Sequence, residues 1–121
     1  MAIIRSDVEN IAGVALWIGN KSATASSGAA TLHANSGVIT TEALTTAAAG
    51  EYTLTLTNAK ARTTDFFLVS VGYGSATAGT PGIGGATCTT NGTVTITVTN
   101  LHASAAFDGT LRIGFIRIAT A

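Results

Sequence analysis

The sequence predicts an all-β protein: an antiparallel β-sandwich with jelly-roll connections, preceded by a non-β or extended N-terminal arm. Three observations predict this class. Apolar residues alternate with threonine in residues 51–57 and 93–99, and a period of two is typical of half-buried strands. Clusters of asparagine, serine, aspartate and glycine separate the candidate strands at short intervals. No convincing helical periodicity occurs after residue 20.

The first 27 residues are predicted to form an arm and a linker (residues 1–27), which leaves residues 28–121 for the sandwich domain. Ser6 and Glu9 match a capping box, but Gly13 opposes a helix, so a short helix and an extended arm both stay open. The arm is apolar enough to anchor on a partner, and packing on its own sandwich is the alternative. The predicted partner-contacting residues are Ile3, Ile4, Val8, Ile11, Leu16, Trp17 and Ile18.

Roughly six to eight short strands are expected in the remainder of the chain. Residues 30–34 and 38–44 are the first candidates, and a turn signal lies between them. Residues 51–57 give the clearest signal, because their tyrosine and leucines point one way and their threonines the other. The apolar run 66–71 predicts a strand that is buried on both faces for part of its length.

The glycine-rich segment 72–85 is predicted to form one long loop. It contains six of the 14 glycines and the only proline, and it shows no periodicity. A loop of this length inside a compact domain is usually functional or mobile, so it is a candidate binding loop. Its candidate exposed residues are Tyr73, Pro81 and Ile83.

A hairpin is predicted around Asn91-Gly92, which lies between two strand candidates. A plain two-residue turn would place Thr87 and Thr89 on the apolar face of the hairpin. We therefore expect a bulge or a longer loop at this position.

The last strand candidate, residues 111–118, is apolar on both faces. This pattern predicts a strand that is central in a sandwich or lies at a subunit interface. Small residues dominate elsewhere, since alanine and threonine supply 22 residues each, and a core built from them by one chain is thin. Both features favour a homo-oligomer.

Charged residues are scarce. They make up 10% of the chain, against about 25% in an ordinary soluble domain. Six basic and six acidic residues cancel, which excludes electrostatic binding of nucleic acid. The longest apolar run, residues 11–19, is too short to span a membrane, and the N-terminus is acidic where a signal peptide is basic. We expect a protein made in a cytoplasm whose surface is largely covered by other protein.

The residues that carry chemistry form no catalytic constellation. His33 and His102 are the only histidines, and both are expected on the surface or capping turns. Cys88 alone makes neither an internal disulfide nor a multi-cysteine zinc site. Pairs of acids such as Glu42 and Glu51 are expected to be solvated at strand ends. The sequence therefore predicts no enzyme, no catalytic residue, no cofactor and no metal site.

Two long segments resemble small structural proteins of tailed bacteriophages: residues 37–58, GVITTEALTTAAAGEYTLTLTN, and residues 100–115, NLHASAAFDGTLRIGF. The similar region covers about residues 28–119. The resemblance rests on composition and on short sequence segments rather than on a catalytic motif. The resemblance implies a virion protein, either a capsid decoration (cement) protein or a module of a fibre. Such proteins are commonly β-rich and often trimeric.

We therefore expect a capsid decoration protein, made in the host bacterial cytoplasm, that forms a homotrimer on the outer capsid surface of the virion. It would stabilise the head by bridging subunits of the major capsid protein, without contacting nucleic acid or a membrane. The alternative is a tail-fibre or receptor-binding module whose glycine-rich loop contacts host surface glycans. A third class, a soluble enzyme or sugar-binding protein, predicts a stable monomer instead.

Overall fold

The structure, a computed structural model, describes residues 21–120, and these residues form eight β-strands and no helix. The strands are β1 (Ser22–Thr24), β2 (Ala29–Thr31), β3 (Ser36–Thr40), β4 (Glu51–Thr57), β5 (Phe66–Tyr73), β6 (Pro81–Thr90), β7 (Thr93–Asn100) and β8 (Leu111–Ile118). Sheet A has the strand order β1-β3-β8-β5, and sheet B has the order β2-β4-β7-β6. The predicted all-β class is confirmed. Within this range there is consequently no helix that could cross a membrane.

Antiparallel pairing dominates both sheets. In sheet A, β8 pairs antiparallel with β3 and β5, and in sheet B, β7 pairs antiparallel with β4 and β6. The two short N-terminal strands differ, because β1 pairs with β3 and β2 pairs with β4 in parallel. Since jelly rolls are antiparallel architectures, the predicted jelly-roll connections are not confirmed.

One apolar core joins the inner faces of the two sheets. Side chains alternate along each strand, so every second residue points inward. Nine strand residues in this core are at most 1% exposed: Ile39, Leu54, Leu56, Val94, Ile96, Val98, Leu111, Ile113 and Phe115. The two sheets therefore pack face to face, an arrangement consistent with the predicted sandwich.

The β6–β7 hairpin contains the bulge that the sequence predicts. Its turn includes Gly92 in the left-handed region, with φ of 89°. The register then shifts between Thr87 and Thr90, so that Ala86 lies opposite Ile96. Without the extra residue of the bulge, Thr87 would lie opposite Ile96 and face the core. The bulge places Ala86 there instead. The expected irregularity is confirmed.

The glycine-rich segment 72–85 is not one loop, and this prediction is wrong. β5 continues to Tyr73 and β6 begins at Pro81, so only residues 74–80 connect the two strands. Ile83 lies within β6 and packs, partly buried, against the core. β6 is an edge strand, where proline and glycine are tolerated because one side needs no ladder hydrogen bonds.

The sandwich also begins earlier than the predicted boundary at residue 28. Residues 22–24, which the sequence assigns to the linker, form β1, and the following Ala25 is 3% exposed. Three small residues carry no recognisable alternation, and their pairing with β3 depends on backbone hydrogen bonds. The predicted arm before this strand lies outside the described residues.

Candidate interaction surface

The outer face of sheet A carries exposed apolar side chains where β5 and β8 pair. Phe66 lies opposite Ile118, and Leu68 lies opposite Ile116. The exposed fractions of Phe66, Leu68 and Ile118 are 69%, 61% and 46%. These four residues, named the apolar patch from here on, are cross-strand neighbours on one face.

The patch exists because β5 is apolar at consecutive positions. Phe67, Val69 and Val71 point inward and pack against the core, which leaves Phe66 and Leu68 pointing outward. The prediction that this strand is buried on both faces is therefore wrong for the part of the chain that the structure describes. β8 has the same pattern and lies between β3 and β5 in sheet A, with Ile116 and Ile118 on its outer face. Contiguous exposed apolar side chains of this kind mark interaction sites.

A shallow apolar hollow of about 140 Å³ lies beside the patch. It is lined by Leu68, Val69, Ser70, Gly114, Phe115 and Ile116. Gly114 and Ser70 lie opposite each other in the β5–β8 pair, and their small size produces the depression. A Cβ atom added at Gly114 would have no neighbour within 4 Å.

The outer face of sheet B is covered by threonine. Cross-strand threonine pairs form regular rows between β4 and β7: Thr53–Thr97, Thr55–Thr95 and Thr57–Thr93. Threonine favours a strand through its branched Cβ and presents a hydroxyl to solvent. We call these six residues and their neighbours in β2 and β6, Thr31 and Thr87, the threonine face.

The two outer faces are almost free of charge. All eight strands together contain three charged residues, Glu51, Arg112 and Arg117. Most of the remaining charges lie in connections, as Asp65 and Asp108 do. The outer faces of the two sheets therefore offer apolar and hydroxyl groups rather than charges.

An ion pair fastens one end of sheet A. The guanidinium of Arg117 donates to the Asp65 carboxylate through Nε and to Asn35 Oδ1 through Nη1, the latter at 3.2 Å. The hydrogen bond from Arg117 holds the pKa of the Asp65 carboxyl below its ordinary value. This cluster ties the residues before β3 and β5 to β8.

The connection 74–80 is held by Asp108. This carboxylate accepts the backbone N–H groups of Thr77 at 2.6 Å and Ala78 at 3.0 Å, and the Thr77 hydroxyl at 2.8 Å. The backbone bond from Thr77 and then its hydroxyl lower the pKa of Asp108. Tyr73, half exposed, donates its phenol to the Gly79 carbonyl at 2.6 Å. The candidate binding loop is thus short and fastened at several points.

Buried asparagines close both ends of sheet B. Asn100, the fully buried last residue of β7, donates through Nδ2 to the carbonyls of Thr46 and Ala105, and accepts the N–H groups of Thr80 and His102 through Oδ1. Asn58 follows β4 and exchanges side-chain hydrogen bonds with the Ala34 backbone in a similar way. These amides satisfy partly or fully buried backbone groups of the connections between strands.

The remaining candidates for chemistry are occupied by structural hydrogen bonds. The Tyr52 phenol donates to Glu42 at 2.9 Å, and burial followed by this bond raises the pKa of Tyr52 above its ordinary value. His33 Nδ1 accepts one turn N–H and His102 Nδ1 accepts two, so their predicted capping role is confirmed. Cys88 is buried. Among residues 21–120, no group of three His, Cys, Asp or Glu side chains could hold a metal ion.

The sequence prediction of contact residues does not include the apolar patch. Its signal was present, because residues 66–71 and 111–118 are both apolar on two faces and pair with each other. The predicted contact residues of the arm lie outside the described residues: Ile3, Ile4, Val8, Ile11, Leu16, Trp17 and Ile18. No family model matches this chain, and neither the curated proteins nor the solved structures provide a match.

Proposed function

We propose that this protein is a bacteriophage capsid decoration protein that stabilises the head by bridging subunits of the major capsid protein. The observation that carries the proposal is the neutral exterior of the two sheets, whose eight strands contain three charged residues. Desolvating hydroxyl and methyl groups costs much less than desolvating charges, and the centres of protein interfaces are poor in charge. The resemblance of residues 37–58 and 100–115 to phage structural proteins supports this class of particle.

The mechanism is burial of surface rather than chemistry. A copy seated across a junction between capsid subunits removes neutral surface of both subunits from water, at about 25 cal/mol per Å² of apolar area. The subunits then separate only when these contacts are broken. Repeated over the whole shell, the effect opposes the outward pressure of packaged DNA. A homotrimer multiplies the contacts, and the arm around residues 3–18 extends them to neighbouring subunits.

Deleting residues 1–18 tests the role of the arm. We expect the truncated protein to keep its β-sheet circular dichroism and to lose co-sedimentation with undecorated capsids. A matched variant keeps the length of the arm but replaces its seven large apolar residues by serine, and it should lose binding equally. Unchanged capsid occupancy of both variants would reject the role of the arm.

Copy number in purified virions separates decoration from the tail-fibre alternative. Decoration predicts hundreds of copies per particle, whereas a receptor-binding module predicts a few to tens. The alternative relied on a long glycine-rich loop as the glycan contact. Only residues 74–80 form that connection, and Asp108 and Tyr73 fasten it.

Light scattering on the purified protein tests the homotrimer. We expect a trimeric mass because so little charge and so thin a core favour association. A monomer that stays dispersed at high concentration and does not bind capsids would contradict the proposed function.

A further inference from the structure

We propose that in the free protein residues 1–20 fold back onto the outer face of their own sheet A, with Trp17 in the hollow above Gly114. This contact is an interaction between two parts of one chain. It does not depend on the proposed function, because it concerns the protein before any partner binds.

The chain enters the described structure at the β1 edge of sheet A, in the same row of residues as the hollow. The Lys21 carbonyl accepts the Val38 N–H at 3.1 Å, so pairing with β3 begins at the first described residue. Ser22 lies opposite Val38, Val38 opposite Gly114, and Gly114 opposite Ser70, in one row across sheet A. Residues 1–20 are therefore attached to the sheet at the level of the hollow.

The distance is within reach of the segment. β1 and β8 are separated by one strand, so their axes lie about 10 Å apart. Trp17 precedes Lys21 by four residues, and four extended residues span up to about 14 Å. The segment is therefore long enough for Trp17 to reach Gly114 of the same molecule, and for the preceding apolar residues to reach Leu68 and Ile116.

Gly114 forms the floor of the hollow and leaves it open to an occupant. Glycine weakens a strand by roughly 0.5–1 kcal/mol relative to alanine. A Cβ at this position meets no atom within 4 Å, so packing within the described structure does not require glycine. Glycine inside a strand often marks a place where another segment approaches the backbone closely. A bulky side chain lying on β8 provides that reason.

The chemistry of residues 1–20 matches this surface. Residues 11–19, directly before the attachment point, are apolar or glycine without a charge, and they contain the only tryptophan of the chain. The hollow is lined mainly by apolar residues and the apolar patch adjoins it. Docking would bury two apolar surfaces against each other without burying an ion.

The size of the surface favours this segment over a second copy of the sandwich. The residues of the apolar patch and of the hollow are far fewer than the roughly 20–30 residues that each partner contributes to a stable interface. A tethered segment needs less contact area, because a short linker gives it an effective concentration in the millimolar range.

Fluorescence of the single tryptophan in the full-length protein tests the inference. We expect the wild-type emission to lie at short wavelength, to be shielded from acrylamide, and to be independent of protein concentration. Gly114→Val fills the hollow without meeting a neighbouring atom and should shift the emission to the red and increase quenching. Its melting temperature should stay equal or rise, because valine favours a strand.

Gly85→Val is the matched control. Gly85 lies in β6 of sheet B, and a Cβ there also meets nothing within 4 Å, so its tryptophan emission should stay at the wild-type wavelength. Equal spectra for wild type and Gly114→Val, or solvent-exposed emission in wild type, would overturn the inference. A blue shift that appears only at high concentration would also overturn it, since Trp17 would then dock on a second copy.

Discussion

Sheet B presents rows of threonine on its outer face, whereas the β5–β8 half of sheet A presents aromatic and branched aliphatic side chains. Both surfaces consist of residues that favour strands, so strand propensity does not explain the difference. Threonine meets that preference while remaining compatible with water. Exposing phenylalanine and leucine instead forgoes burial of about 1.5–3 kcal/mol per side chain. The comparison teaches that the outer face of sheet A, unlike that of sheet B, exposes large apolar side chains at a cost in stability.

The ends of the two sheets are also held by different kinds of side chain. Buried neutral amides, Asn58 and Asn100, close sheet B, whereas the ionised pair Asp65–Arg117 closes one end of sheet A. Amides hold their hydrogen bonds at any pH. The carboxylates that hold segments beside sheet A take up protons in acid. We therefore expect the ends of sheet A and of sheet B to respond differently to pH.

The largest effects are expected on the inner faces, where the two sheets are equivalent. Ile113→Ala in sheet A and Leu54→Ala in sheet B each leave a cavity among fully buried residues. Each substitution should lower the free energy of unfolding by about 2–5 kcal/mol, measured by denaturant titration. If the decrease in the free energy of unfolding were well below this range for one sheet alone, the inner face of that sheet would not be part of a shared core.

Asn100→Ala comes next in size. It removes a fully buried amide and leaves the partly buried carbonyl of Thr46 and the N–H of Thr80 without their side-chain partner. The free energy of unfolding should fall by about 1–3 kcal/mol in total, because these groups are only partly buried and the Thr46 carbonyl keeps the Phe107 N–H. Thr53→Ala on the outer face of the same sheet is the control and should change the free energy of unfolding by no more than about 0.5 kcal/mol. Equal effects would mean that the amide does not close the end of sheet B.

Acid should weaken the contacts of sheet A selectively. The folded-state pKa values of Asp65 and Asp108 lie below their ordinary values, so both contribute stability above about pH 4. That contribution is lost as pH falls through the folded-state pKa values, where the carboxylates take up protons. In the Asp65→Asn, Asp108→Asn double variant, the melting temperature should be lower at neutral pH and depend less on pH in acid.

The single variant Asn100→Ala separates this effect from a general loss of stability. Its melting temperature should fall in parallel with that of the wild type as the solution is acidified, because an amide does not titrate. If the double carboxylate variant followed the same parallel course, the two acids would not be the source of acid sensitivity.

The smallest effect on stability is expected from making sheet B resemble sheet A. Thr55→Leu with Thr95→Leu places an apolar cross-strand pair on the threonine face. The free energy of unfolding should change by no more than about 0.5 kcal/mol. Light scattering should reveal increased association, because no segment among residues 21–120 covers that face. The serine pair at the same positions is the control, and equal association of the two variants would contradict the contrast between the faces.

The strands with strict alternation were predictable. The alternation within residues 51–57 and 93–99 shows which of their side chains point inward. A plain turn would place Thr87 and Thr89 on the apolar face, and this predicted a bulge from the sequence alone. Residues 22–24 and 81–85 were not recognised as strands. Small residues and glycine show no alternation that would mark an inward face. Their pairing is decided by backbone hydrogen bonds to β3 and β7.

The candidate surface was predictable only in part. The scarcity of charge was evident from composition, and so was the apolar character of both faces of residues 66–71 and 111–118. The sequence pattern was interpreted as burial on both sides. Whether a second apolar face is covered depends on which layer lies above it, and that is a property of the assembled sheets.

By itself, the amino-acid sequence determined the all-β class, the inward residues of the alternating strands and the neutrality of the exterior. These features depend on side-chain periodicity and composition, which are local. Only the tertiary structure decided that β5 and β8 are neighbours, that Gly114 and Ser70 leave a hollow, and that Ser22 lies in the same row. Those relations join residues far apart in the chain, and they arise from strand order and register, which no local pattern specifies.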